Sequence, residues 1–224
     1  MTAVKFCGMK DEDTMSYALE LGVQYLGFII DYPKSPRSLT IDEFCKKSEW
    51  LRKNNKGNYK VVAVSVDMDI ANMERIIKEG AANVVQLHGS EDLNLSRRLK
   101  GRIETWKAVT RPDKLSSEEY RTLAASADKV LLDSGNAAEK ASGTSGAFDC
   151  YQLYAEMRKE GIPVILSGGI DVGNVQSYIS AYQPEIIDVS RGIETSPGIK
   201  SRQKMKEFME TLNRIQEEYA TINR

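Results

Sequence analysis

The chain has 224 residues, of which 41% are hydrophobic and 28% are charged, and its formal net charge is -1 at pH 7. This length is sufficient for a large buried core, and a charge so close to zero argues against a nucleic-acid or anionic-membrane partner. Three cysteines, Cys7, Cys45 and Cys150, cannot all be paired and show no metal-ligand spacing, so we expect a reducing compartment. There is neither a basic-then-apolar leader nor an apolar run long enough to cross a bilayer, which predicts a soluble, cytoplasmic protein.

Apolar, β-branched runs alternate with amphipathic helical patterns along the chain. The runs predict strands at 4–7, 25–30, 61–66, 84–87, 105–109, 129–132, 164–166 and 186–189. The patterns between them predict helices at 11–21, 41–54, 70–79, 92–100, 117–126, 151–160, 173–181 and 200–218. Each strand with its helix takes roughly 20 to 30 residues, which is the size of a βα repeat.

Eight such repeats, with no linker between them, predict an α/β protein with a single (β/α)₈ TIM barrel domain over residues 1–224. The alternative architecture is an open, doubly wound sheet. Its usual marker is a G-x-G-x-x-G segment directly after the first strand, but this chain has Cys7-Gly8-Met9-Lys10 there. The closed barrel is therefore the favoured prediction.

Polar and reactive residues end the predicted strands. They are Cys7, the segment 31–37, Asp67, His88, the stretch 109–111, Asp133 and the segments 167–169 and 190–192. In a barrel of this kind the active site lies at the carboxyl ends of the strands. Alternation along the first strand puts Lys5 and Cys7 on the same face. We therefore expect a small molecule to react between Cys7 and Asp133.

The last two strands are each followed by a glycine-containing loop. These loops read Ser167-Gly168-Gly169-Ile170 and Ser190-Arg191-Gly192-Ile193. Glycines let backbone N–H groups approach an anion closely, and a short helix after the last strand would direct its positive end at the same point. Either loop alone is more often a tight turn, but together they occupy the usual phosphate site of this fold. Gly168, Gly169, Ser190, Arg191 and Gly192 are therefore predicted to bind phosphate.

Several motifs, in order along nearly the whole chain, resemble those of phosphoribosylanthranilate isomerases. They are Val4-Lys5-Phe6-Cys7-Gly8-Met9-Lys10, Ser35-Pro36-Arg37, Val85-Gln86-Leu87-His88-Gly89, Trp106-Lys107-Ala108-Val109, Leu131-Leu132-Asp133-Ser134, Leu166-Ser167-Gly168-Gly169-Ile170, Ile187-Asp188-Val189-Ser190-Arg191-Gly192-Ile193-Glu194 and Pro197-Gly198. The resemblance implies a phosphate-binding barrel of tryptophan biosynthesis that performs an Amadori rearrangement without metal or organic cofactor. It also implies that Cys7 is the general base, that Asp133 is the general acid and that Arg37 binds the substrate carboxylate. The implied partner is a phosphorylated small molecule, and we expect a monomer or homodimer.

One segment departs from the resemblance. The family typically reads Gly-Gly-Thr-Gly-Lys-Thr-Phe-Asp-Trp where this chain reads Ser142-Gly143-Thr144-Ser145-Gly146-Ala147-Phe148-Asp149-Cys150. Gly143 keeps the second glycine and is predicted to bind phosphate, while Gly146 replaces the lysine and Cys150 the tryptophan. Arg191 also stands where the family commonly has a small residue. Two alternatives therefore stay open: a diverged paralogue that binds a phosphorylated ligand without this activity, and an isomerase of a related sugar phosphate.

Each candidate side chain also has a plainer interpretation. Cys7 would be a small buried hydrophobe, Asp133 a helix or turn cap, and Arg37 a solvated loop charge. His88, the only histidine, is expected to be a hydrogen-bonded residue at the barrel end rather than a catalyst. Lys107 is expected to fill a polar layer inside the barrel.

Overall fold

The computed structural model describes residues 1–110, 115–133 and 151–222. Its strands are β1 (Ala3–Cys7), β2 (Tyr25–Ile30), β3 (Ser38–Leu39), β4 (Lys60–Ser65), β5 (Val84–Leu87), β6 (Glu104–Val109), β7 (Lys129–Asp133), β8 (Val164–Ser167), β9 (Ile186–Val189), β10 (Glu194–Ser196) and β11 (Ile199–Lys200). Its helices are α1 (Glu12–Glu20), α2 (Ile41–Asn54), α3 (Ile70–Lys78), α4 (Leu93–Leu99), α5 (Ser117–Ser126), α6 (Tyr151–Lys159), α7 (Val175–Tyr182) and α8 (Arg202–Ile222). None of these helices is long and apolar enough to cross a bilayer.

Eight parallel strands close into a barrel. Hydrogen bonds join them in the order β1-β2-β4-β5-β6-β7-β8-β9, and β1 pairs with both β2 and β9. The predicted (β/α)₈ barrel is confirmed, and the open sheet is wrong because a doubly wound sheet has two unpaired edges. Closure brings the carboxyl ends of all eight strands to one face of the barrel.

The core has two layers, which strand alternation separates. Val4 and Phe6 of β1 belong to the layer between strands and helices, where Phe6 packs edge-on against Phe208 of α8. Cys7 belongs to the cluster inside the barrel, which also includes Trp106. The predicted alternation of β1 is confirmed, and it turns Lys5 inward beside Cys7.

The prediction that Lys107 fills the inside of the barrel is wrong. Its neighbours Trp106 and Ala108 belong to the interior cluster, so alternation turns Lys107 to the outer face of the sheet. There its Nζ donates to Glu91 Oε2 at 2.6 Å and to the carbonyl oxygen of Gly89 at 2.7 Å. Lys107 therefore fixes the loop after β5.

Local sequence signals explain several element boundaries. Thr40 and Ser116 form capping boxes with Glu43 and Glu119, which satisfy backbone N–H groups at the starts of α2 and α5. Just after the C-terminal end of α1, Gly22 has a φ of 83°. This left-handed conformation ends a helix, and few residues other than glycine adopt it readily.

Two small elements were not predicted from the sequence. β3 pairs with the end of β2 directly after the segment 31–37, while β10 and β11 form a hairpin between a single 3₁₀ turn (Arg191–Ile193) and α8. The predicted last helix therefore begins at Arg202 instead of residue 200. The hairpin is important for the site because it carries Glu194 and Lys200.

Candidate active site

The carboxyl ends of the barrel strands surround a cavity of about 300 Å³. The predicted site residues that line it are Cys7, Arg37, His88, Asp133, Gly168, Gly169, Ser190 and Arg191. Gly192 does not line it, and Gly143 lies outside the described residues, as does the divergent segment 142–150. Residues far apart in the chain therefore meet at one opening, as the strand-end argument predicts.

Cys7 ends β1 at the floor of this cavity, where 7% of the residue is exposed. Lys5 lies below it on the same face of β1, completely buried, and its Nζ is 2.7 Å from Asp188 Oδ2. Gly27 of the neighbouring strand leaves room for both side chains, since a Cβ there would lie 2.9 Å from Lys5 Cε and 3.0 Å from Cys7 Sγ. A thiol, an ammonium and a carboxylate are thus packed together.

Two opposing effects act on the pKa of Cys7. Burial raises the pKa of the thiol, and the charge of Asp188 acts in the same direction. The ammonium groups of Lys5 and Lys200 lower it, but they do not cancel the effect of burial, so the pKa lies above its ordinary value. For Lys5, burial alone would lower the pKa, but Asp188 and Cys7 outweigh it and raise the pKa. Lys5 therefore stays charged next to the sulfur.

Asp133 ends β7 and lies beside the only histidine. Its Oδ2 is 3.4 Å from His88 Nε2, and about a quarter of each side chain (23%) is exposed. The other ring nitrogen of His88 is 2.8 Å from Nε2 of Gln86, which is fully buried on β5. His88 is thus hydrogen-bonded at the barrel end, as predicted. Strands β8 and β9 lie between the strands of Cys7 and Asp133 on one side, and four strands lie between them on the other.

Arg37 is held by the carboxylate of Glu194, which the sequence pattern does not assign to the site. Its Nε and Nη2 donate to Glu194 Oε1 and Oε2 at 2.8 and 2.6 Å, and Lys200 donates to the same carboxylate at 2.9 Å. The Arg37 side chain is only 15% exposed, so its interpretation as a solvated loop charge is wrong. Burial alone would raise the pKa of Glu194, but its hydrogen bonds to Arg37 and Lys200 outweigh burial and lower it.

The two predicted phosphate loops meet at the cavity, but not in every detail. Gly168 and Gly169 have φ values of 100° and 68°, which are strained for other residues, and both line the cavity with Ser190 and Arg191. Gly192 has another reason to be glycine, because a Cβ there would lie 2.2 Å from the carbonyl oxygen of residue 170. It permits close contact between the two loops, and the predicted short helix is a single 3₁₀ turn.

Within the described ranges, no group of three or more His, Cys, Asp or Glu side chains is placed to hold a metal ion. The cavity instead combines a thiol, a carboxyl group, a guanidinium group and glycine-rich loops. Such a set of groups can exchange protons with a ligand and can bind anionic groups at the ends of that ligand.

Comparison with known proteins identifies the family. The model of the N-(5'phosphoribosyl)anthranilate (PRA) isomerase family matches residues 4–211. The chain is 34% identical over 215 residues to N-(5'-phosphoribosyl)anthranilate isomerase of Rhodopseudomonas palustris, covering 93% of this chain and 96% of the relative. It is 32% identical over 214 residues to the enzyme of the same name from Zymomonas mobilis, with the same two coverages.

A solved structure of phosphoribosyl anthranilate isomerase, in complex with reduced 1-(o-carboxyphenylamino)-1-deoxyribulose 5-phosphate, has the same fold. It superimposes with a TM-score of 0.76 and 28% sequence identity, covering 95% of this chain and 99% of the other. The family match spans nearly the whole barrel, including all strands that carry the cavity residues. The chain therefore belongs to the N-(5'-phosphoribosyl)anthranilate isomerase family.

Proposed function

We propose that this member of the family performs its isomerisation by general acid–base catalysis, with Cys7 as the base and Asp133 as the acid. The reaction converts N-(5-phosphoribosyl)anthranilate to 1-(2-carboxyphenylamino)-1-deoxyribulose 5-phosphate, a step of tryptophan biosynthesis that turns an aldose into a ketose form. One observation carries the proposal: both side chains line the same cavity, from strands on different sides of the barrel.

The first stage is opening of the ribose ring. Asp133 gives its proton to the ring oxygen as the bond between C1 and that oxygen breaks, and the lone pair of the anthranilate nitrogen forms a C=N bond. A carboxyl group can do this only while it holds a proton. His88, whose Nε2 lies 3.4 Å from Asp133 Oδ2, orients the carboxyl group.

The second stage is proton transfer at carbon. The thiolate of Cys7 removes the proton from C2, and the electron pair of that C–H bond moves into the C1–C2 bond, giving an enolamine. Loss of the proton from the C2 hydroxyl and return of a proton to C1 then give the ketone, so C2 is oxidised and C1 is reduced within the substrate and no external electron acceptor is required. The ammonium of Lys5 favours the thiolate that this stage needs.

The substrate is held at both ends through its two anionic groups, the carboxylate and the phosphate. Arg37 binds the anthranilate carboxylate through Nη1, which has no hydrogen-bond partner among the described residues, while Glu194 holds its other nitrogens. The loops of Gly168–Gly169 and Ser190–Arg191 bind the phosphate, with Gly143 as a further predicted contact. Fixing both ends orients the sugar between acid and base. We expect the enzyme in the cytoplasm, as a monomer or homodimer.

Complementation of a tryptophan auxotroph that lacks this isomerase, followed by kinetics on the purified protein, tests the proposal. Cys7→Ala and Asp133→Asn should each lower kcat by roughly 10²- to 10⁴-fold, the usual contribution of one acid–base group. Binding of the reduced product analogue should change little. Cys45→Ala is the matched control, because Cys45 lies on α2 and does not line the cavity.

Two outcomes would contradict the proposal. If the unmodified chain neither restores growth nor turns over the substrate, a paralogue that only binds a phosphorylated ligand becomes the better explanation. If both variants keep near-normal kcat, the isomerase stands but the assignment of acid and base is wrong.

A further inference from the structure

The β10–β11 hairpin carries a buried cation that the proposed reaction does not use. The side chain of Lys200 is 1% exposed, and it does not line the cavity. Its Nζ donates to Glu194 Oε1 and to the carbonyl oxygen of Ser190, both at 2.9 Å. Burying an ammonium group costs free energy even when the group is paired, so the place of Lys200 behind the cavity needs an explanation.

Hydrogen bonds connect Lys200 to the strand that ends in Cys7. Ser190 follows β9 directly, and its Oγ donates to the carbonyl oxygen of Cys7 at 3.0 Å. Lys200 Nζ lies 3.5 Å from the same Oγ, in addition to its bond to the Ser190 carbonyl oxygen. Lys200 therefore holds both the backbone and the hydroxyl group of Ser190, and Ser190 in turn holds the end of β1.

The charges around Glu194 are not balanced. Arg37 and Lys200 share its one carboxylate, and no other carboxylate in the described ranges pairs with either cation. Two positive charges and one negative charge leave a formal surplus of one positive charge in this cluster. The other ammonium group near the thiol, that of Lys5, has Asp188 as its own partner. The unbalanced positive charge therefore comes from the side of the hairpin.

This charge acts on the thiol of Cys7. Burial raises the pKa of the thiol, and the carboxylate of Asp188 acts in the same direction. The ammonium groups of Lys5 and Lys200 oppose both effects. Burial also lowers the pKa of Lys200, but Glu194 and Cys7 act against this decrease. The thiolate and the ammonium of Lys200 thus stabilise each other.

We propose that Lys200 is a positioning residue for proton abstraction by Cys7, because its ammonium group holds Ser190 in place and favours the charged form of the thiol. The inference rests on the proposed function, which makes this thiol the base. Lys200 acts from behind the cavity, so its loss should affect kcat more than KM. Without it, Arg37 keeps both of its hydrogen bonds to Glu194, and recognition of the substrate carboxylate should persist.

The test removes the charge of Lys200 in two ways. Lys200→Met removes the charge and the hydrogen-bond donor, whereas Lys200→Gln removes the charge but keeps a donor. The ionisation of Cys7 is followed by thiolate absorbance against pH, and each variant is compared with its own Cys7→Ala version. In both variants the midpoint should rise by about one pH unit, the effect of losing a nearby opposite charge.

Kinetics with the isomerase substrate provide the second measurement. At neutral pH the fraction of thiolate should fall by about tenfold in both variants, and kcat should fall with it. KM should change by less than about threefold, because the groups proposed to bind the substrate all remain. A role in stability alone would lower the free energy of unfolding but would not move the thiolate midpoint.

Lys204→Met is the matched control. Lys204 also donates from its ammonium group to Glu194, at 2.6 Å, but to the backbone oxygen of that residue. Lys204 is exposed, and none of its hydrogen bonds in the described part of the chain reaches Ser190 or Cys7. The midpoint of thiolate absorbance, kcat and KM should all stay at wild-type values in this variant.

The outcomes separate this inference from the proposed function. If Cys7→Ala keeps near-normal kcat, the assignment of the base fails and the role of Lys200 fails with it. If Cys7→Ala is inactive but the thiolate midpoint of Lys200→Gln is that of the wild type, only the inference about Lys200 is overturned, because a neutral donor is then sufficient. If Lys200→Met does not fold, Lys200→Gln decides alone. If neither variant folds, the role of Lys200 is structural, which also overturns the inference.

Discussion

Gly27→Ala tests whether the proposed catalytic thiol, Cys7, depends on the buried ammonium of Lys5 beside it. A Cβ at residue 27 would lie 2.9 Å from Lys5 Cε, 3.0 Å from Lys5 Nζ and 3.0 Å from Cys7 Sγ. Non-bonded carbons prefer separations of about 3.5 to 4.0 Å, so something must move by about half an ångström or more. The backbone of β2 is hydrogen-bonded on both sides, to β1 and β4, so the two side chains must give way.

We expect Gly27→Ala to lower the free energy of unfolding by about 1 to 3 kcal/mol, the usual cost of an extra carbon in a packed interior. Displacing Lys5 from Cys7 should also lower kcat by roughly tenfold or more. Urea denaturation and steady-state kinetics measure the two effects. The control is Gly57→Ala, at an exposed glycine where the nearest atom would be 4.0 Å from the new Cβ. Wild-type stability and kcat in Gly27→Ala would refute the crowding argument.

Three further predictions concern charge. Glu194→Gln should lower the free energy of unfolding by about 3 kcal/mol and raise KM, because it leaves two largely buried cations, Arg37 and Lys200, without an anion. A wild-type free energy of unfolding in urea together with a wild-type KM would contradict this. Burial raises the pKa of Cys7, so the thiolate absorbance that Cys7→Ala removes should appear with a midpoint above the ordinary cysteine value of about 8.5, and a midpoint below it would be inconsistent. Hydrogen bonds from Arg121 and Tyr120 lower the pKa of Glu160 to about 2. The ionised carboxylate therefore stabilises the fold above about pH 4.3, and this stabilisation is lost as the pH falls towards 2. Glu160→Gln should flatten the pH dependence of the free energy of unfolding between these two pH values.

The sequence predicts the barrel and most of the cavity because both depend on local pattern. Apolar residues recur with a different period in strands and in helices, so the two kinds of element can be told apart. Eight strand–helix repeats in a row are compatible with few architectures. Once the barrel is assumed, strand ends must converge, and this alone brings Cys7, His88 and Asp133 to one face. The inward direction of Lys5 also follows from alternation in a strand with a known last residue.

The prediction for Lys107 is wrong because alternation along a strand does not show which of its two faces lies inside the barrel. In β6 both faces are buried, so the strand reads as apolar on both sides and the phase is ambiguous. Trp106 occupies the interior, and Lys107 is turned outward to Glu91. The sequence also does not predict that Oε1 of Gln86 lacks a hydrogen-bond partner among the described residues, because the partners of a glutamine in a strand depend on which strands lie beside it.

The largest omission is Glu194, and it changes how the role of Arg37 is understood. An arginine on a loop before a two-residue strand has many rotamers, and holding it for a ligand costs side-chain entropy. Glu194 removes this cost before the substrate arrives, since two parallel hydrogen bonds fix the guanidinium plane. The β10–β11 hairpin that carries Glu194 also approaches the arginine loop through Gly198, where a Cβ would lie 2.8 Å from the carbonyl oxygen of Pro36. The proposed recognition of a carboxylate by Arg37 therefore depends on a segment that follows the last barrel strand, more than 150 residues along the chain from the arginine itself.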